Sequence, residues 1–292
     1  MELRMKFSDM RVLITGAAGG IGGAVVAELR LRGAAVLCVA RNEPAHSRTT
    51  SSAAVNGTRI GTLIADLTLP ADRRRVCEAS IDWCGGINVL INNAGVNHFA
   101  MFEDQPHAQI ELALAVNVGA PMHLCRQLLP HLAQQPESRI LNIGSVFGAI
   151  GYPGYAAYCA SKFALRGFTE ALRRELAETS IRVQYLAPRA TRTGMNTAAV
   201  DRMNAQLRVP MDPPERVARA ACGLLESGRL EAVVGWPERF FTRVNATLPR
   251  LVDRAMRKRL AAIRHYATGD SPGRIEVDHR AGPYQNLTGD PT

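Results

Sequence analysis

The sequence predicts a single α/β domain built on a doubly wound parallel sheet, followed by a basic helical extension. Three observations predict it. Short runs rich in Val, Ile and Leu alternate with longer stretches of helical periodicity between residues 11 and 234. Those runs are apolar at nearly every position rather than at every second one, as strands covered on both faces read. A glycine-rich turn, Thr15-Gly16-Ala17-Ala18-Gly19-Gly20-Ile21-Gly22, joins the first run to the first helix.

In chain order, strands are expected over 11–15, 35–39, 59–65, 88–92, 139–145, 182–187 and 231–234. Helices are expected over 21–32, 71–83, 109–131, 155–179 and 214–226. Gly33 falls where the first helix stops, as a left-handed cap requires, and Ala34 leads into the second strand. Strand–helix alternation with right-handed crossovers gives a sheet with helices on both faces. The organisation expected is a catalytic domain over 1–235, a basic amphipathic helical extension over 236–268 and a Gly/Pro/Asp-rich flexible tail over 269–292.

Composition narrows the function classes. The six cysteines have no CxxC or Cys/His ligand spacing, which argues against a disulfide framework or a metal site and for a reducing cytoplasm. No apolar run reaches the roughly 18 residues of a membrane span. The net charge of +9 comes with no interleaved aromatic–basic platform and no zinc-finger spacing, so no nucleic-acid partner is expected.

A glycine turn between strand and helix lets backbone amides and the helix dipole approach a pyrophosphate, and Gly16, Gly20 and Gly22 are placed for that. About 20 residues on, the second strand ends in Cys38-Val39-Ala40-Arg41-Asn42. A carboxylate there hydrogen-bonds a free ribose 2′-hydroxyl, whereas Arg41 pairs with a 2′-phosphate. NADP is therefore favoured, with NAD the alternative and Glu43 counting toward it.

Tyr158 and Lys162 are four residues apart and share one helix face. A cation beside a phenol favours its ionised form, so a Tyr158 pKa drawn down toward neutrality is expected, suited to acid–base work. Ser145 ends the fifth strand.

Together the glycine turn, Asp66 after the third strand, Asn92-Asn93-Ala94-Gly95, Asn117, Ser145 and the Tyr158/Lys162 pair resemble the short-chain dehydrogenase/reductase family, over residues 11–234. The resemblance implies a Rossmann-like fold and a tetrad of Asn117, Ser145, Tyr158 and Lys162. It also implies cofactor contacts from Thr15, Gly16, Gly20, Ile21 and Gly22, from Asp66 and Leu67 near the adenine, and from Asn93, Ala94 and Gly95 beneath it. Lys162 is implied at the nicotinamide ribose, Asn117 at a helix bend and a water leading to the lysine, and Pro188 and Thr193 near the carboxamide. Tyr158 then exchanges a proton with the substrate oxygen while Ser145 polarises it. A homodimer or homotetramer through helices 109–131 and 155–179 is implied as well.

Arg189 departs from the family's glycine after that proline, leaving two readings: an arginine at the substrate entrance or a solvated loop residue. The loops 96–105, 148–154 and 194–210 carry His98, Phe99, Met101, Phe102, Phe147, Ile150, Tyr152, Met195 and Met203, so a largely apolar pocket is expected. Between 236 and 265, eight Lys/Arg face two acidic residues, and an apolar stripe recurs at helical spacing with a break at Pro249. Such an extension packs on its own domain, lies peripherally on a membrane or docks an acyl carrier protein. The function expected is NADP(H)-dependent interconversion of a hydrophobic or acyl-type ketone and its secondary alcohol. A dinucleotide-binding redox sensor without chemistry is the alternative.

Overall fold

The computed structural model describes residues 4–42 and 59–268, apart from the side chains of 236–239. Glu43 and the tail 269–292 lie outside the described residues. Seven parallel strands form one sheet in the order β3-β2-β1-β4-β5-β6-β7. They are β1 Arg11–Thr15, β2 Ala35–Ala40, β3 Ile60–Ile64, β4 Val89–Asn92, β5 Ser138–Ile143, β6 Ile181–Ala187 and β7 Glu231–Val233.

The continuous apolar runs have a simple origin, because side chains alternate between two buried faces. Val12 and Ile14 of β1 join the core under α1 (Gly20–Leu31) and α7 (Pro214–Ser227). Leu13 points the other way, into the core shared by α2 (Pro70–Asp82), α4 (Ala120–Leu132) and α5 (Ala156–Glu175). Val36 and Cys38 of β2 follow the first pattern, and Leu37 and Val39 the second. All six cysteines are free thiols, five of them buried as packing residues. Gly33, at φ 92°, takes the left-handed turn that ends α1.

The helix expected over 109–131 is three pieces. α3 (His107–Leu114) runs into a single π turn, Ala115–Gly119, and then into α4. The widened turn is the bend, and Asn117 lies in it. α5 stops at Glu175, short of the expected 179, where a turn leads into β6. A short helix absent from the expected elements, α6 (Ala198–Gln206), starts at Thr197, whose hydroxyl accepts the Val200 N–H. After β7 the chain forms α8 (Trp236–Thr247) and α9 (Pro249–Thr268), divided at Pro249 as its ring requires. Among the described residues no helix is long and apolar enough to cross a membrane.

Strand order reverses between β1 and β4, and ligands of open α/β sheets bind at the carboxyl ends of strands beside such a switch point. The glycine turn leaves β1 there, and Asn93-Ala94-Gly95 leaves β4.

Candidate active site

Thr15 fastens these two turns together. Its hydroxyl oxygen accepts the N–H groups of Asn93 and Ala94, both at 3.0 Å. The Asn93 amide returns hydrogen bonds to the carbonyls of Thr15 (2.9 Å) and Gly16 (3.2 Å). The glycines divide their labour. A Cβ on Gly16, at φ 68°, would lie 2.7 Å from the Ala94 Cα, and a Cβ on Gly22 would lie 2.1 Å from the Gly16 carbonyl oxygen. These two serve the turn's own packing. Gly20 is exposed, and its missing side chain leaves room for Thr193 across the cleft, 2.8 Å from the position of a Cβ.

α1 begins at Gly19 with no side-chain cap and no acidic residue in its first turn. Among the described residues no side chain caps its first amides, an arrangement that fits an anionic phosphate. Ile21 and Pro188 line the cavity beyond. Arg41 is exposed just past β2, close enough to Asp66 for their charges to interact. Asp66 accepts the N–H (2.9 Å) and hydroxyl (2.8 Å) of Thr68, and those bonds, with Arg41 contributing, hold its carboxyl below the usual range. Leu67 is buried behind it.

The four tetrad candidates meet at the ends of β4 and β5. The Ser145 hydroxyl oxygen caps the turn after β5 by accepting the Phe147 N–H at 3.1 Å, and Ser145 stands close enough to the Tyr158 phenol to favour its ionised form. Tyr158 and Lys162 project from the first turns of α5. Lys162 donates to the Ile143 carbonyl at 3.0 Å, with its nitrogen 5.7 Å from the centre of the Tyr158 ring. The Asn117 side chain accepts the Val96 N–H (2.8 Å) and donates to the Val96 carbonyl and the Ser161 hydroxyl, both at 2.9 Å. Ser161 in turn donates to the Tyr158 carbonyl at 2.7 Å. Asn117 thus couples the π turn to the backbone that carries the tyrosine. Gly95 passes between Asn117 and Lys162, its bare Cα facing both.

The expected lowering of the Tyr158 pKa is corrected. Burial pushes the phenol up to about 12 against the opposing effect of Ser145, and burial pushes the Lys162 ammonium down to about 8. Desolvation dominates both shifts in the protein alone.

The solvated reading of Arg189 is corrected, whereas the residue does line the cavity that holds Ser145 and Tyr158. Its guanidinium forms a bidentate pair with Asp212, Nε to Oδ2 at 2.9 Å and a terminal nitrogen to Oδ1 at 2.8 Å, with side chains 12% and 3% exposed. Asp212 also bridges Thr191 through its backbone. An ion pair replaces the glycine's conformational freedom in shaping the loop that brings Thr193 to Gly20.

A cavity of about 400 Å³ opens from Ser145 and Tyr158. Phe147, Ile150, Tyr152, Met195 and Met203 line it as expected, but His98, Met101 and Phe102 do not, and Phe102 lies on the surface. Phe99 packs behind, its ring 5.0 Å from that of Tyr155. The far wall comes from α8 and α9, through Phe241, Val244, Leu251, Val252 and Met256. Part of the extension's apolar stripe is therefore cavity wall, and Ile263 is fully buried against Tyr155 and Cys159. The apolar stripe at helical spacing signals a packed face, but the sequence does not say against what. Tyr185 was also missed. Its hydroxyl lies 3.4 Å from the Ser145 carbonyl, and Gly144 and Gly148 are bare because its ring fills the space their Cβ atoms would take.

A switch-point glycine turn facing a Ser/Tyr/Lys constellation beside a mostly apolar cavity defines a dinucleotide-dependent oxidoreductase. The short chain dehydrogenase family model matches residues 10–204, and the chain belongs to that family, whose members are NAD(P)-dependent oxidoreductases. Among its relatives is an uncharacterized oxidoreductase, YxnA, of Bacillus subtilis (strain 168), 29% identical over 95% of this chain and 80% of its own. The ketoacyl reductase HetN of Nostoc sp. (strain PCC 7120) is 30% identical over 76% of this chain and 77% of its own. A solved 3-ketoacyl-(acyl-carrier-protein) reductase from Brucella melitensis, complexed with NADH, superposes with a TM-score of 0.70 at 27% identity, covering 78% of this chain and 98% of the other.

Proposed function

We propose that the protein is an NADPH-dependent reductase of hydrophobic ketones, acting in reverse on the matching secondary alcohols. The observation that carries this is that Ser145 and Tyr158 line a cavity whose walls are mostly apolar. The bound dinucleotide supplies the hydride. Ser145 holds the substrate oxygen with its hydroxyl, and Tyr158 delivers a proton to that oxygen as negative charge develops there. Lys162, with one N–H given to Ile143, directs its remaining donors and its charge toward the phenol side of the cleft. Asn117 positions Tyr158 through Ser161. α8 and α9 exclude water from the reacting centre.

Arg41 supports the preference for NADPH, since the tip of β2 carries no carboxylate to repel a 2′-phosphate. Calorimetric titration with NADPH and NADH tests this. Tighter NADPH binding that Arg41→Ala abolishes is expected, and an NADH preference overturns the assignment. Loss of turnover in Tyr158→Phe with dinucleotide binding retained separates the reductase from a redox sensor.

A second reading concerns partners. Phe240, Phe241, Leu248 and Leu251 are each more than half exposed at the α8–α9 elbow, among the exposed Arg243, Arg250 and Arg254. An apolar elbow ringed by cations suits an anionic lipid surface better than an acidic carrier protein. Flotation of the intact chain with anionic vesicles, weakened in Phe240→Ser/Leu248→Ser, is expected, and failure of the intact chain to float overturns it. The exposed Leu114, Met122 and Phe163 support self-association through α3, α4 and α5, and light scattering reads its order.

A further inference from the structure

We infer that Arg259 of α9 reads an anionic group, a carboxylate, at the end of the substrate remote from the reacting carbonyl. The inference rests on the proposed reductase reading and adds a substrate class to it: oxo acids with an apolar body between ketone and carboxylate. Two arginines line the cavity, and they differ in kind. Arg189 is neutralised by Asp212. Arg259 has no carboxylate within ion-pair reach among the described residues; its charge acts on the Tyr152 phenol instead.

The geometry fixes where that charge stands relative to the chemistry. Tyr152 stacks on Phe147 with ring centres 5.0 Å apart and planes 18° from parallel. Phe147 meets Tyr158 edge-on at 6.3 Å. The guanidinium therefore acts on a ring two aromatic contacts along from the reacting phenol. Ile150, Val244, Val252 and Met256 add apolar wall to the same cavity. A cation at the wall of such a cavity gains little from a neutral ligand. It gains a charge-assisted, bidentate contact from a carboxylate. Arg259 is exposed like the other Lys and Arg of α9, but it alone among them lines the cavity, so it stands where the cavity meets solvent.

The test has a binding arm and a kinetic arm. In the binding arm, calorimetry of the full chain compares saturated medium-chain fatty acids with their methyl esters, which need no hydride transfer. At least tenfold tighter binding of the acids is expected, with that preference lost in Arg259→Ala and partly kept in Arg259→Lys. In the kinetic arm, (ω−1)-oxo acids are compared with their methyl esters in the presence of NADPH. A lower KM for the acids is expected, and Arg259→Ala raises it to the ester value. Equal binding of acid and ester by the intact chain overturns the inference, as does an acid preference that survives Arg259→Ala. Tight acid binding that depends on Arg259, without turnover of any ketone, upholds the anion site and refutes the reductase reading instead.

Discussion

Replacing Arg189 with alanine removes one side of a nearly buried ion pair and leaves the Asp212 carboxylate, 3% exposed, with Arg216 still 3.0 Å away. Stripping one partner from a buried pair costs about 3–5 kcal/mol, because the remaining charge stays desolvated. Arg216 is half exposed and retains part of the interaction, so the expected loss is about 2–3 kcal/mol. For a chain of this size that lowers Tm by roughly 5–10 °C. The loss has a pH signature. Burial works to raise the Asp212 pKa, but the Arg189 and Arg216 guanidiniums outweigh it and hold the carboxyl below the usual range. A carboxyl lowered in the folded state contributes stability above its unfolded pKa of about 4, and that contribution disappears as pH falls through the folded value. The gap between wild type and Arg189→Ala is therefore full at pH 7 and closes below about pH 4. Urea melts across this range measure it. Arg189→Ala/Asp212→Leu recovers part of the loss, since no carboxylate is then left buried. A cost under about 1 kcal/mol, or one that does not change with acidification, refutes the view that this pair shapes the loop.

Lys162, pushed down to about 8, loses its charge in the free enzyme as pH rises through that value, so kcat/KM for ketone reduction falls above it. In Lys162→Arg the guanidinium stays charged and the limb vanishes from the pH–rate profile, at a lower overall rate. Gly144→Ala places a Cβ 2.1 Å from the Tyr185 ring, and the displaced Ser145 turn is expected to cost about 1–3 kcal/mol and at least a tenfold drop in kcat, read by melting and steady-state kinetics. Gly20→Ala drives a methyl group against Thr193 and is expected to weaken NADPH binding about tenfold, with partial rescue by Thr193→Ser, which removes the Cγ2 in the way.

The strands and the tetrad were legible in the sequence because each rests on a local signal. Two-faced burial writes an unbroken apolar run, and a helix turn brings Tyr158 and Lys162 together at a spacing of four. What escaped depends on distance along the chain. The partner of Arg189 lies 23 residues away on an irregular segment, and no periodicity links Asp212 to it. Tyr185 reads as one more apolar strand residue, yet it holds the Ser145 turn from a neighbouring strand. The direction of the Tyr158 shift turned on burial, which the sequence does not record, whereas proximity to a lysine is written plainly in it. The extension's stripe announced a buried face without naming the cavity it would wall.

That wall joins two parts of the chain that serve different ends. The groups that move protons stand on the sheet and α5, where register and ladder hydrogen bonds hold them against change. Much of the surface that meets a substrate's apolar body belongs to α8 and α9, which touch the sheet at few points and can exchange one hydrophobic residue for another at small cost. Variation in these two helices can therefore retune which molecules fit while the reacting centre stays as it is.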